Sequence, residues 1–176
     1  MTPSPWIARW APLIAPGRTV LDVAAGGGRH TRLLRGRGHP VTALDRDVSG
    51  LADLASDTGT QIVAADLEDG SPWPLPGRRF GAVVVTNYLH RPLWPALLAA
   101  LEPGGVLLYE TFMVGNERFG KPSNPAFLLR DGELLDVARE GGLSVVAYEA
   151  TMLSDPRPAM VQRIAARRSE SIARSS

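Results

Sequence analysis

Three acids stand where strand-like runs end or are about to end. Asp22 lies in "TVLDVA", Asp45 closes "PVTALD" and Asp66 closes "TQIVAAD". Asp22 precedes a glycine cluster, Gly26, Gly27 and Gly28. A glycine turn between strand and helix lets a ligand approach the backbone, and the helix start offers free N–H groups. Dinucleotides place a pyrophosphate there and usually bring a third glycine three residues on, where this chain has Thr31. A carboxylate beside a pyrophosphate is repelled, whereas one beside an amino group is paired. The turn therefore suits a ligand that is cationic near Asp22. Asp45 can accept two hydrogen bonds from a ribose diol, and Asp66 can accept one from an adenine amino group. Taken singly, Asp45 and Asp66 also suit helix N-caps, and Asp22 suits a local backbone bond.

The elements that must hold these acids alternate along the chain. Strand-like runs cover 19–24, 40–45, 60–66, 80–87 and 105–112; helix-like runs cover 29–38, 48–57 and 93–101. A further helix is expected over 131–142, then strands over 143–150 and 159–167. The central strands are continuous apolar runs, which implies a parallel sheet buried on both faces by helices. Ser4-Pro5 can cap a short helix carrying Trp6 and Trp10, which read as packing residues, with Pro12 limiting it. Two loops break the alternation: 67–79, rich in proline, and 113–127, long and polar at the ligand-binding edge. One domain is expected over 1–168, with a flexible tail over 169–176.

Composition narrows the function. The 176 residues carry a formal net charge of +1, with 19 basic against 18 acidic side chains. No global field favours nucleic acid or a membrane surface. Lys121 is the only lysine, and Arg29, Arg32 and Arg35 recur on one helix as a solvated face. There is no cysteine, which removes disulfides, thiolate metal sites and cysteine nucleophiles; no metal site is expected. No apolar run approaches the ~20 residues of a membrane span, and the start lacks a signal-peptide pattern. The expectation is a cytoplasmic protein.

An ammonium, a ribose, an adenine and no phosphate together describe S-adenosylmethionine. At this point the chain resembles the class I S-adenosylmethionine-dependent methyltransferases over nearly its whole length. "VLDVAAGGGRH" is similar to their first motif, "ALDRD" to their ribose motif and "AADLED" to their adenine motif. "FGAVVVTNYLH" resembles their fourth strand and "LEPGGVLLYE" their turn into the fifth. Ala24 departs from the pattern, standing where a glycine is usual. Among subgroups, the chain most resembles the small bacterial tellurite-resistance-type enzymes. The resemblance implies a Rossmann-like, doubly wound α/β sheet of seven strands, order 3-2-1-4-5-7-6, with strand 7 antiparallel. It implies cofactor contacts from Asp22, Ala24, Gly26, Gly28, Asp45, Arg46, Asp66, Leu67 and Asn87.

The stretch "NYLHR" should lie near the transferred methyl. Tyr88 could pack on the sulfonium or bound the substrate pocket. His90 could act as a general base, although a solvent-facing helix start is the plainer reading. Arg91 could hold an anionic substrate or simply lie at the surface. Glu110 could contact substrate or bind loop amides. Loop 113–127 could be a substrate lid presenting Asn116, Arg118 and Lys121, or an idle surface loop. A sulfonium methyl is already activated, so alignment and exclusion of water can carry most of the catalysis. Without a cysteine, base-carbon methylation of pyrimidines is argued against, and "NYLH" replaces the proline pair of adenine-amino methylation. A small-molecule acceptor leads; protein or RNA acceptors remain open through a partner subunit. A nicotinamide-dependent oxidoreductase and a non-catalytic S-adenosylmethionine-binding module are the rival readings.

Overall fold

The computed structural model describes residues 1–171. Seven strands form one sheet: β1 (Val20–Val23), β2 (Val41–Asp45), β3 (Thr60–Ala64), β4 (Phe80–Thr86), β5 (Leu101–Phe112), β6 (Leu143–Leu153) and β7 (Ala159–Arg168). Their order is β3-β2-β1-β4-β5-β7-β6. The first five run parallel, and β7 is antiparallel to both β5 and β6. This is the Rossmann-like methyltransferase arrangement that the resemblance implies.

Burial explains why the centre of the sheet reads as unbroken apolar runs. Every residue of β1 and β4 is buried, whereas β3, on the edge, is half-buried. Alternate side chains serve opposite faces. Leu21, Val23, Val83 and Val85 pack with Leu97 of α3 (Trp94–Ala99) and Leu134 of α4 (Glu133–Glu140). Val20, Ala82 and Val84 pack with Ile7 of α1 (Pro5–Trp10) and Leu34 of α2 (Arg29–Gly36). Ser4 caps α1 as expected, accepting from the Trp6 and Ile7 amides, and α1 passes at Ala11 into a short 3-10 turn that contains Pro12. Trp6 is buried and donates its indole N–H to the Ile164 carbonyl at 3.2 Å.

The helix expected over 48–57 is instead a 3-10 turn, Ser49–Leu54. Gly50 presses against the glycine loop there, so that a Cβ on it would sit 3.0 Å from the Gly27 Cα. A side chain at Gly50 would therefore crowd the glycine loop. The other elements fall within a few residues of expectation. Of the expected tail, Ser169, Glu170 and Ser171 are exposed and outside any strand; 172–176 lie outside the described residues. Among the described residues, no helix is long and apolar enough to cross a membrane.

β1 has β2 on one side and β4 on the other. In an open parallel sheet, the crevice for ligands lies outside the carboxyl ends of the strands at this switch point.

Candidate active site

A cavity of about 500 Å³ opens there, within the usual range for small-molecule sites. Six of the nine expected cofactor residues line it: Ala24, Asp45, Arg46, Asp66, Leu67 and Asn87. Each follows or closes a strand, so the sheet itself sets their spacing. Ala24 and Asn87, both with φ of 53°, are the non-glycine residues with positive φ among the described residues. A side chain held in that region costs roughly 1–3 kcal/mol, and such residues cluster at ligand sites. Asn87 is held by its own amide, which donates to the Glu110 carbonyl at 2.9 Å.

Asp45 organises the turn from the side. Its Oδ2 accepts the Gly26 amide at 2.7 Å, and its Oδ1 accepts the Asp47 amide at 2.9 Å. Asp66 accepts the Glu68 amide at 2.9 Å. Gly26 and Gly28 shape the turn without lining the cavity. Gly28 caps α2 with φ of 77°, and a Cβ there would run into the Leu51 and Arg32 side chains.

Asp22 is placed differently from its expected pairing with a ligand ammonium. It is buried in β1 and does not line the cavity; its Oδ2 accepts the Thr31 hydroxyl at 2.7 Å. The local-bond reading therefore describes it, although its partner is a side chain. Burial pushes its carboxyl up to about 6, against the lowering effect of the Thr31 bonds.

The residues after β4 divide. Tyr88 lines the cavity half-buried, and the buried Tyr109 hydroxyl donates to its carbonyl at 2.7 Å. Burial, reinforced by the negative charges of Glu68 and Asp66, pushes the Tyr88 phenol up to about 12. His90 is partly exposed and does not line the cavity; its Nδ1 lies 3.3 Å from Glu68 Oε1. Glu68 does line the cavity. Sequence reasoning missed it, because an exposed acid in a polar loop carries no distinguishing signal.

Several expected substrate contacts are corrected. Arg91 is no anion holder: its guanidinium forms a two-pronged ion pair with Glu133, at 2.6 and 3.0 Å. It also donates to the Ala126 and Leu128 carbonyls, so it clamps the end of the loop to α4. Glu110 is buried and pairs inward, accepting the Ser4 hydroxyl at 2.8 Å and Arg163 at 3.1 Å. Asn116 is buried as a loop brace, donating to the Pro122 carbonyl and accepting the Met160 amide. Arg118 donates to the Gly115 carbonyl and lies over the Phe119 ring. Lys121 borders a separate small cleft with Phe119 and Arg157. The loop does reach the main cavity, but through the apolar Pro122 and Phe127.

A second buried network went unseen in the sequence. His30 accepts the Ser4 amide at Nε2, 3.0 Å away, and its Nδ1 lies 3.2 Å from the Thr86 hydroxyl. Burial, aided by the charge on Arg29, lowers the ring to about 4. The ring is thus neutral near pH 7, protonated on Nδ1 so that it donates to Thr86. No sequence spacing announced this contact, because it joins residues 26 and 56 positions apart.

The family model for a methyltransferase domain matches residues 21–108, half of the chain. The chain belongs to the methyltransferase domain family. As a member, it is an S-adenosylmethionine-dependent methyltransferase, and S-adenosylmethionine is its cofactor. No curated protein sequence matches it. The methyltransferase is similar in fold to TehB from Haemophilus influenzae, with a TM-score of 0.75 at 18% identity, over 92% of this chain and 61% of that one. It thus spans about three fifths of TehB. The 1,6-didemethyltoxoflavin-N1-methyltransferase of Burkholderia thailandensis, solved with 1,6-didemethyltoxoflavin and S-adenosylhomocysteine, gives 0.69 at 22% identity, over 94% and 77%. An S-adenosylmethionine-dependent methyltransferase from Mesorhizobium loti gives 0.69 at 20% identity, over 92% and 98%.

Proposed function

We propose that this methyltransferase moves the methyl group of S-adenosylmethionine to a small-molecule acceptor bound in the same cavity. The carrying observation is the cavity's two-sided lining. Strand-end acids and the Ala24 turn form one side, and Tyr88 with Phe112 at the end of β5 and the loop residues Pro122 and Phe127 forms the other.

The residues present fit the cofactor. A carboxylate has about four lone-pair sites. Backbone amides take two of those on Asp45, which leaves acceptors for a ribose diol. Asp66 and Leu67 stand where an adenine needs an acceptor and an apolar face. Arg46, exposed at the rim, is placed to cover it. Ala24 and Asn87 bring backbone close to the methionine portion. Asp22, acting through Thr31, supports the turn from beneath, as Gly26 and Gly28 shape it.

When bound, S-adenosylmethionine supplies a methyl group activated by its sulfonium. The chain's own contribution is alignment and dryness. Tyr88, Phe112 and Phe127 give the transfer line an apolar wall, which sheds water once cofactor and acceptor fill the cavity. Tyr88 stays protonated, since its phenol is pushed far above neutral pH, so it serves as a donor or packing surface and not as a base. His90 reaches the cavity only through Glu68.

The B. thailandensis relative, solved with 1,6-didemethyltoxoflavin, supports an acceptor of small size, as does a cavity of about 500 Å³. Label from methyl-labelled S-adenosylmethionine, incubated with a fractionated cell extract, should enter the low-molecular-weight filtrate. Label confined to protein or nucleic acid would overturn the small-molecule reading.

A further inference from the structure

The charges around the cavity say more about the acceptor. Its lining includes three carboxylates, Asp45, Asp66 and Glu68, and one cation, Arg46, at the adenosine side. The basic residues that could have received an oxyanion are turned elsewhere. Arg91 is paired with Glu133, Arg163 with Glu110 and Glu149, and Arg118 and Lys121 do not line the cavity. Away from the strand-end acids the lining is Tyr88, Leu89, Thr111, Phe112, Pro122 and Phe127, and Glu68 reaches this side, 3.3 Å from His90, two residues past Tyr88. The cofactor, with one net positive charge, still leaves the site negative. An anionic acceptor would find Arg46 alone against three carboxylates, whereas a cation would relieve the excess negative charge. The Tyr88 phenol is raised mainly by burial, with Glu68, Asp66 and Asp45 adding to the shift and Arg46 opposing it.

We propose that the acceptor is an amine on an apolar or aromatic body, its nitrogen received by Glu68 and its body held by Tyr88, Phe112 and Phe127. This rests on the methyl-transfer reading above. It sets the chain apart from the oxyanion chemistry that a tellurite-resistance resemblance suggests. The steps balance with groups that are present. The ammonium form gives one proton to the Glu68 carboxylate, which is exposed and returns it to solvent; His90 Nδ1, 3.3 Å from that carboxylate, orients it. The nitrogen lone pair forms the new N–CH₃ bond, and the electron pair of the breaking S–CH₃ bond stays on sulfur. The product leaves as a protonated N-methylamine. Glu68 thus touches the acceptor, and His90 acts through Glu68 as a positioning residue.

The test separates this proposal from the one beneath it. The protein is first titrated with S-adenosylhomocysteine; failure to bind would overturn the methyl-transfer reading itself. The loaded protein is then titrated by NMR with benzylamine, benzyl alcohol and benzoate, three probes of one body and different charge at pH 7. Benzylamine should bind at least tenfold more tightly than benzoate, with benzyl alcohol between them. Glu68→Gln should reduce that preference to within threefold while changing S-adenosylhomocysteine affinity by less than threefold. Glu68 is exposed, so the variant should keep its fold, which thermal denaturation checks. Benzoate binding as tightly as benzylamine, no benzylamine binding, or a preference unchanged in the variant would each overturn the amine assignment.

Discussion

Asp45→Ala removes a carboxylate that lines the cavity and makes two structural bonds, with about two further lone-pair sites left for a ligand. Charge-assisted hydrogen bonds of this kind are each worth about 1.5–3 kcal/mol. Losing two to a ribose diol would cost about 3–6 kcal/mol in a dry site, and the half-exposed position of Asp45 reduces that by screening. A loss of about 1.4–3 kcal/mol remains, which is tenfold to a hundredfold or so in cofactor affinity. The structural cost is smaller. The Gly26 and Asp47 amides lose an acceptor but gain water at an open rim, so global stability should fall by about 1 kcal/mol. Isothermal calorimetry with S-adenosylmethionine, paired with urea denaturation, reads both quantities. Asp45→Asn should lie between alanine and wild type, because it keeps one acceptor oxygen. A folded alanine variant with unchanged affinity would refute the ribose assignment.

Two further outcomes follow from buried ionisable groups. The Asp22 carboxyl is raised from 3.8 to about 6 when folded, so the folded state keeps a proton that the unfolded state loses. Its contribution is complete below about pH 4 and is lost as pH rises through about 6. Relative to Asp22→Asn, which still accepts from Thr31 and does not titrate, wild-type stability should fall by roughly 3 kcal/mol across that window; a flat difference in urea titrations would contradict it. Arg91→Ala leaves Glu133, only 4% exposed, without its main partner. Stability should fall on the order of 3 kcal/mol, and the loop end at Ala126 and Leu128 should gain hydrogen exchange. An unchanged denaturation midpoint would return Arg91 to the list of free surface residues.

What the sequence showed and what it hid divide by distance along the chain. The strands were visible because a sheet buried on both faces forces unbroken apolar runs such as "AVVVT" at 82–86. Asp45, Asp66 and Asn87 were visible because a parallel sheet brings successive strand ends to one edge, so position along a strand became position in the site. Glu68 was hidden because an exposed acid in a polar loop looks like any other solvated charge. Arg91 and Glu110 were misread for the opposite reason. Both stand at the active edge, but their partners, Glu133, Ser4 and Arg163, come from segments 42 to 106 residues away. The 3-10 turn at Ser49–Leu54 was read as α-helix because apolar spacing over so short a run does not distinguish the two.

The central claim is that the crevice at the β1–β4 switch point, edged by Asp45 and Asp66, is where this methyltransferase holds S-adenosylmethionine. Calorimetric titration with S-adenosylmethionine and, separately, with NADH tests it most directly. Single-site binding of S-adenosylmethionine in the micromolar range, with no heat from NADH, is the predicted result. Tight NADH binding without S-adenosylmethionine binding would contradict the account.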